Sequence, residues 1–344
     1  MKVMLTYIMM PLLAMLSACS KDSGNGGSGN TAPPTNLTLS AVVSTDNSGN
    51  VAFTAAATNA TTYEFDFGNG IFQNVPNGIV SYRYPTSGNY TVKVTAKNGA
   101  GGSINKTTNI TVTVAQSLVW SDEFNTDGAP DPAKWNYDVG VGDGGWGNQE
   151  LQNYTTRPEN AIVQGGVLKI KAIRENYNGS TFTSARLKSQ GKYEFKYGKV
   201  EARAKVPGGV GTWAAIWALG SDITTVGWPA CGEIDIMEHL GRQLNLIYGT
   251  LHYPGRSGGN ADGSTRMITG ADTEFHIYST EWTATEIKIK VDGNLIHSVQ
   301  TANKPFNHNF FLIMNLAMGG NFGGAVDPSV NGGTMEVDYI RVYQ

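Results

Sequence analysis

Three segments alternate apolar and polar residues with a period of two, and they set the fold class. Tyr197 to Val206 reads YGKVEARAKV, Glu286 to Val299 reads EIKIKVDGNLIHSV, and Met335 to Gln344 reads MEVDYIRVYQ. A two-residue period puts alternate side chains on opposite faces of a strand, so each segment is expected to bury one face and wet the other. The second segment turns back on itself through Val-Asp-Gly-Asn, a hairpin signal. Glycine, at 43 of 344 residues, is present at nearly twice its usual share of about 7%. Helical patterning is scarce, and the chain reads as all-β.

Charge and cysteine remove several functional classes. Lys and Arg number 25 against 28 Asp and Glu, a net charge of −3, so the basic excess that drives phosphate-backbone binding is missing and nucleic acid is not an expected partner. Two cysteines cannot build a disulfide scaffold, and no Cys/His cluster has zinc-ligand spacing. No phosphate-cradling glycine loop stands between a strand and a helix.

Composition splits the chain in two. All seven Trp lie from Trp120 onward. Residues 35–115 read as short Thr/Val/Ala strands separated by Asn/Gly turns, the pattern of a small β-sandwich. Strands are expected at Leu37 to Val43, Val51 to Ala57, Thr62 to Phe67, Tyr90 to Ala96 and Thr107 to Val114. Residues 118–344 carry longer, aromatic-rich strands that suit one large sandwich, with a jelly roll the expected form.

The first residues address the chain rather than fold it. Lys2, an apolar run from Val3 to Leu16 and the tetrapeptide Leu16-Ser17-Ala18-Cys19 have the regions of a secretion signal over residues 1–18, too short for a membrane span. The tetrapeptide resembles the lipobox of bacterial lipoproteins, which implies an acylated Cys19, a membrane partner and an outer-membrane location in a Gram-negative cell. Residues 19–34, rich in Gly, Ser and Asn, read as a flexible tether.

The stretch that carries chemistry is WPACGEIDIMEHLG, Trp228 to Gly241, with carboxylates at Glu233, Asp235 and Glu238. Its spacing also fits a helical period, but Pro229, Gly232, Gly241 and the Ile-x-Ile alternation favour a strand. In a regular strand Glu233 and Asp235 share a face and Glu238 falls on the other. One extra residue in a β-bulge around Ile236-Met237 would restore all three to one face. Three acids on one face repel, so at least one pKa should rise toward the working pH, as a general acid requires. Such a set can cleave a glycosidic bond.

GEIDIMEHLG resembles the active-site strand of glycoside hydrolase family 16 in its laminarinase (endo-β-1,3-glucanase) form. The resemblance extends through WSDEF (Trp120 to Phe124), GGWGNQELQNYT (Gly144 to Thr155), YGKVEARAKVP (Tyr197 to Pro207), GTWAAIWALG (Gly211 to Gly220), GTLHY (Gly249 to Tyr253), FHIYSTEW (Phe275 to Trp282), NLAMGGNFGG (Asn315 to Gly324) and DYIRVYQ (Asp338 to Gln344). It implies a concave jelly-roll cleft and a retaining double displacement on a β-glucan, with Glu233 as nucleophile, Glu238 as acid/base and Asp235 orienting Glu233. It further implies sugar contacts at Asn148, Trp213, Trp217, Trp228 and His252, and a structural calcium at Glu123, Gly166 and Asp338, with no cofactor for catalysis. Phe322 departs from the family, where Trp often follows the GGN turn. YEFDFGNG (Tyr63 to Gly70) and YRYPTSGNYTVKVTAKNGAGG (Tyr82 to Gly102) resemble PKD modules, which implies a spacer or weak glycan contact.

Cleavage of laminarin-like glucan by a monomer is the leading expectation. Mixed-linkage glucan or algal galactan cleavage are alternatives within the same family, and a non-catalytic glycan-binding lipoprotein is the alternative from another class. Cys231, two residues before Glu233, is expected to be a packed free thiol.

Overall fold

The structure is a computed structural model that describes residues 32–344. The secretion signal expected over residues 1–18, Cys19 and most of the expected tether therefore lie outside the described residues.

The smaller unit is a β-sandwich. One sheet pairs Thr35–Val43, Asn50–Thr58 and Ile79–Arg83 in that order, and the other runs Phe72–Val75, Thr62–Asp66, Gly88–Lys97, Ser103–Val112. Its core forms because strict alternation sends Val51, Phe53 and Ala55 from one sheet, and Tyr63, Phe65, Val92, Val94 and Ala96 from the other, into one layer. Phe53 packs on Phe65 and Phe67 at centroid distances of 6.0 and 5.5 Å. The five expected strands are present within a few residues. The strands Phe72–Val75 and Ile79–Arg83 lay in a stretch whose Asn-Val-Pro-Asn-Gly sequence reads as turn, and pairing supplies what local sequence does not.

The larger unit is a jelly-roll sandwich of a ten-stranded and a seven-stranded sheet. The three alternating segments lie in the ten-stranded sheet as Gly198–Lys205, the hairpin Glu286–Val291 and Asn294–Gln300, and Gly332–Tyr343. The hairpin turn has Asp292 and Gly293 at φ 48° and 75°, as its two-residue connection requires. The seven-stranded sheet runs Asp262–Met267, Leu246–His252, Glu233–Leu240, Thr212–Gly220, Phe310–Met318, Arg186–Lys188, Asn136–Asp138. Between the sheets, Val200, Ala202, Ala204, Val337 and Ile340 meet Ala214, Ile216, Ala218, Ile234, Leu312 and Met314 in a continuous apolar core.

The other face of the seven-stranded sheet carries the polar and aromatic residues. Register fixes which ones stand side by side. One row across the sheet reads Asp138, Arg186, Asn315, Ala215, Glu238, Tyr248, Thr265, and the next reads Asn136, Lys188, Ile313, Trp217, Asp235, Thr250, Gly263. Ala215, opposite Glu238, puts only a methyl group beside that carboxylate.

Candidate active site

The strand Glu233–Leu240 contains the bulge that its spacing requires. On one side Ile216 pairs with Met237 and Trp217 with Asp235, which skips Ile236. On the other side Asp235 pairs with Thr250 and Glu238 with Tyr248, three steps against two. The extra residue lets both Ile236 and Met237 point into the core, where each is fully buried, and returns Glu238 to the face of Glu233 and Asp235.

Glu233 and Glu238 each have an indole donor. Trp228 Nε1–H donates to Glu233 Oε2 at 3.0 Å. Trp213 Nε1–H donates to Glu238 Oε1 at 3.1 Å, and the Thr250 hydroxyl to Glu238 Oε2 at 3.4 Å. His252 Nε2 lies 3.1 Å from Asp235 Oδ2 and 3.7 Å from Glu233 Oε1. Burial, followed by the charge of Asp235, pushes Glu233 and Glu238 up to about 8, and burial pushes Asp235 to about 8. Three buried acids this close cannot all ionise together, so the cluster sheds protons in separated steps and keeps one available near neutral pH. That meets the expectation of a raised acid.

Aromatic residues frame the cluster. Trp228 is 48% exposed and stands 5.7 Å from the His252 ring, so its indole offers a sugar-sized face while its N–H holds Glu233. Replacing Trp228 by Phe is expected to lower kcat about tenfold with little change in KM, and Trp228→Ala to raise KM as well; equal kinetics for the two variants would contradict the double role. Trp213 packs edge-on to Phe322 at 5.4 Å, and Phe322 meets Tyr248 in the same way at 5.0 Å. The residue that departs from the family pattern thus braces Trp213.

Farther across the sheet, the Trp217 indole donates to Asn315 Oδ1 at 2.8 Å, Asn315 Nδ2 donates to Tyr154 Oη at 3.0 Å, and the Tyr154 hydroxyl donates to Glu150 at 3.2 Å. Asn148 also donates to Glu150, at 3.3 Å, and burial raises the Glu150 carboxyl above its ordinary value. Arg186 stacks between Trp146 and Trp217, 4.7 and 4.8 Å from their ring centres. The expected sugar contacts therefore fall into two groups, Trp213, Trp228 and His252 at the carboxylates and Asn148 with Trp217 beyond them. Glu150, Tyr154, Arg186 and Asn315 were not singled out from sequence. Glu150, Tyr154 and Asn315 stood inside quoted motifs, but only tertiary contact links them.

Glu233, Asp235 and His252 offer ligand atoms within 4.8 Å of one another, a spacing open to a metal ion. Ring chemistry argues against that use. Gly258 N–H donates to His252 Nδ1 at 3.1 Å, whereas a metal-bound imidazole donates from the nitrogen that does not ligate. At the suggested calcium positions, Glu123 is paired through both oxygens with Arg341 at 2.9 and 2.7 Å, and Asp338 with Arg203 at 2.6 Å. Gly166 lies in the turn between Ala161–Val163 and Leu168–Tyr177. Both carboxylates are thus engaged by arginines, which leaves backbone carbonyls as the oxygen donors a hard cation would need.

Cys231 is fully buried with Leu219, Phe311 and Ile313, and burial, with the Glu233 charge next, pushes its thiol up to about 12. It is a packing residue, inert as a nucleophile.

A jelly roll with clustered carboxylates under indole faces defines a polysaccharide hydrolase. The chain belongs to glycosyl hydrolases family 16, whose pattern matches residues 148–341, and a PKD domain pattern matches residues 26–112. The beta-glucanase of Rhodothermus marinus is 48% identical over 246 residues, which cover 66% of this chain and 85% of that protein. The crystal structure of the laminarinase from the same organism superposes with a TM-score of 0.65 at 46% identity, covering 67% of this chain and 98% of that one. A structure from Z. galactanivorans in complex with laminaritriose and laminaritetraose superposes with a TM-score of 0.61 at 41% identity, covering 66% and 99%.

Proposed function

We propose that this glycoside hydrolase cuts β-1,3-glucans of the laminarin type internally, with retention of anomeric configuration. The observation that carries the reading is the bulge, which gathers Glu233, Asp235 and Glu238 on one face between Trp213 and Trp228. Resemblance to a laminarinase and to a laminari-oligosaccharide complex supports the substrate class.

Glu238, protonated at the start, gives its proton to the glycosidic oxygen as the bond to C1 breaks. Glu233, ionised, attacks C1 to form a glycosyl ester. A water then displaces Glu233 as Glu238, now a base, takes the water's proton. Asp235, next to Glu233 on the same face, orients the nucleophile. Trp228 and Trp213 supply C–H-facing surfaces for a neutral sugar and N–H donors for the carboxylates.

The test is hydrolysis of laminarin by residues 20–344, followed by NMR, with lichenan and agarose in parallel. The β anomer is expected to appear first from laminarin. Initial α anomer would overturn retention, and no release from any polymer would overturn catalysis in favour of glycan binding.

We also propose that the chain is anchored in the outer membrane through an acylated Cys19, supported by Lys2, the apolar run and Leu16-Ser17-Ala18-Cys19. Fatty-acid labelling of the full chain in a Gram-negative host is expected to disappear in Cys19→Ala. Persistent label would refute the anchor.

A further inference from the structure

Neutral His252 has two tautomers, and its surroundings select one. The backbone N–H of Gly258 donates to Nδ1 at 3.1 Å. A ring nitrogen that accepts a hydrogen bond carries no hydrogen, so the neutral ring carries its hydrogen on Nε2. The loop that presents Gly258 is tied down: Tyr253 and Arg256 exchange backbone hydrogen bonds, Arg256 Nε donates to Asn260 O at 3.1 Å, and Asn260 Nδ2 donates to Gly255 O at 3.1 Å.

Nε2 lies on the side of the carboxylates, 3.1 Å from Asp235 Oδ2. Asp235 is buried, and its Oδ2 makes no hydrogen bond among the described residues; the ring nitrogen stands within reach of it but is not aligned as a donor in this conformation. An unsatisfied acceptor buried so deeply gains from any donor within reach that turns onto it. Glu233 Oε1, at 3.7 Å from the same nitrogen, is the next polar atom on that side.

We propose that His252 is a positioning residue of the hydrolytic step, a ring whose tautomer is fixed by Gly258 so that Nε2–H donates to Asp235 and holds it against Glu233, rather than a sugar contact. This rests on Glu233 acting as nucleophile. With the donor in place, Asp235 keeps one orientation and Glu233 is freed as an ionised attacker. Without it, Asp235 takes a proton more readily and Glu233 loses its fixed neighbour. The other charged groups facing the pair are Glu238 on the same strand and Arg186 across the sheet. Asp262, on the strand beyond His252, is engaged instead with Tyr253, Arg256 and His297.

The tautomer is measured directly on wild-type protein by long-range proton–nitrogen NMR of the histidine rings at pH 8, with the His252 signals identified by their loss in His252→Gln. An Nε2–H ring is expected. An Nδ1–H ring would overturn the proposal, whatever the catalytic activity. The kinetic arm compares two variants. His252→Leu is expected to lower kcat/KM on laminarin about ten- to a hundredfold and to move the acidic limb of its pH profile upward by roughly one unit. His252→Gln, whose amide can place an N–H where Nε2 stood, should restore the limb and bring kcat/KM to within about threefold of wild type. A raised KM in both variants with the limb unmoved would mean a sugar contact and refute positioning. A wild-type chain inactive on laminarin would refute the hydrolase reading alone, since the tautomer is still read by NMR.

Discussion

Glu233→Gln is expected to lower kcat on laminarin by about four orders of magnitude or more, with binding of laminari-oligosaccharides retained. The amide keeps the shape and still accepts from the Trp228 indole, but it cannot attack C1. Glu238→Gln loses a proton donor and should fall by about two to four orders of magnitude. Small anions separate the two roles. With Glu233→Ala, azide can enter the vacated space and attack C1 directly, giving the α-glycosyl azide by one inversion. With Glu238→Ala, azide replaces water in the second step and gives the β product. The opposite pairing of variant and anomer would exchange the roles of Glu233 and Glu238, and near-wild-type turnover by Glu233→Gln would overturn the nucleophile assignment.

The same inactive variants are expected to be more stable than wild type at pH 8 and equal to it at pH 4. Glu233 and Glu238 titrate near 8 in the folded chain, against about 4.3 when unfolded. Below about pH 4 both states hold their protons, and the cluster costs nothing. As the pH rises toward 8, the unfolded chain releases protons that the folded chain keeps, so stability falls across that window and levels off above it. A glutamine has no proton to release and escapes the loss. An advantage of order 2 kcal/mol would raise Tm by several degrees, at about 2–4 °C per kcal/mol for a domain of this size. Calorimetry of Glu238→Gln and wild type at pH 4, 6 and 8 tests this; an advantage that stays constant or shrinks with pH would show that the carboxylates are not held above their ordinary range. Activity and stability thus oppose each other at the same two residues.

Much of this was legible in the sequence because the decisive signals were local. Period-two alternation marked the strands at Gly198–Lys205 and Gly332–Tyr343, and the Asp292-Gly293 turn marked the hairpin. The bulge could be inferred because Glu238 stands an odd number of residues from Glu233, and facing acids demand an even step or a break in the pairing. Other features depended on distant partners. Phe72–Val75 and Ile79–Arg83 are strands because neighbours pair with them, not because their residues favour it. Glu150 is held by Asn148 and Tyr154, Tyr154 by Asn315, and Asn315 by Trp217, a relay across 167 sequence positions from Asn148 to Asn315 that no spacing rule contains. The family resemblance implies a sugar contact at His252; the backbone N–H of Gly258 that holds its ring leaves no mark in side-chain identity.

The two buried residues of the bulge guard against misalignment of the strand that carries the acids. A slip of one residue at Glu233–Leu240 would turn Met237 outward and drive Glu238 into the apolar core. Exposing the methionine costs about 1.5–3 kcal/mol, and an unpaired acid in the core costs several more. The interior of the sandwich therefore proofreads the cleft: a chain that folds with its acids misaligned is penalised from inside, before any substrate arrives to test the surface.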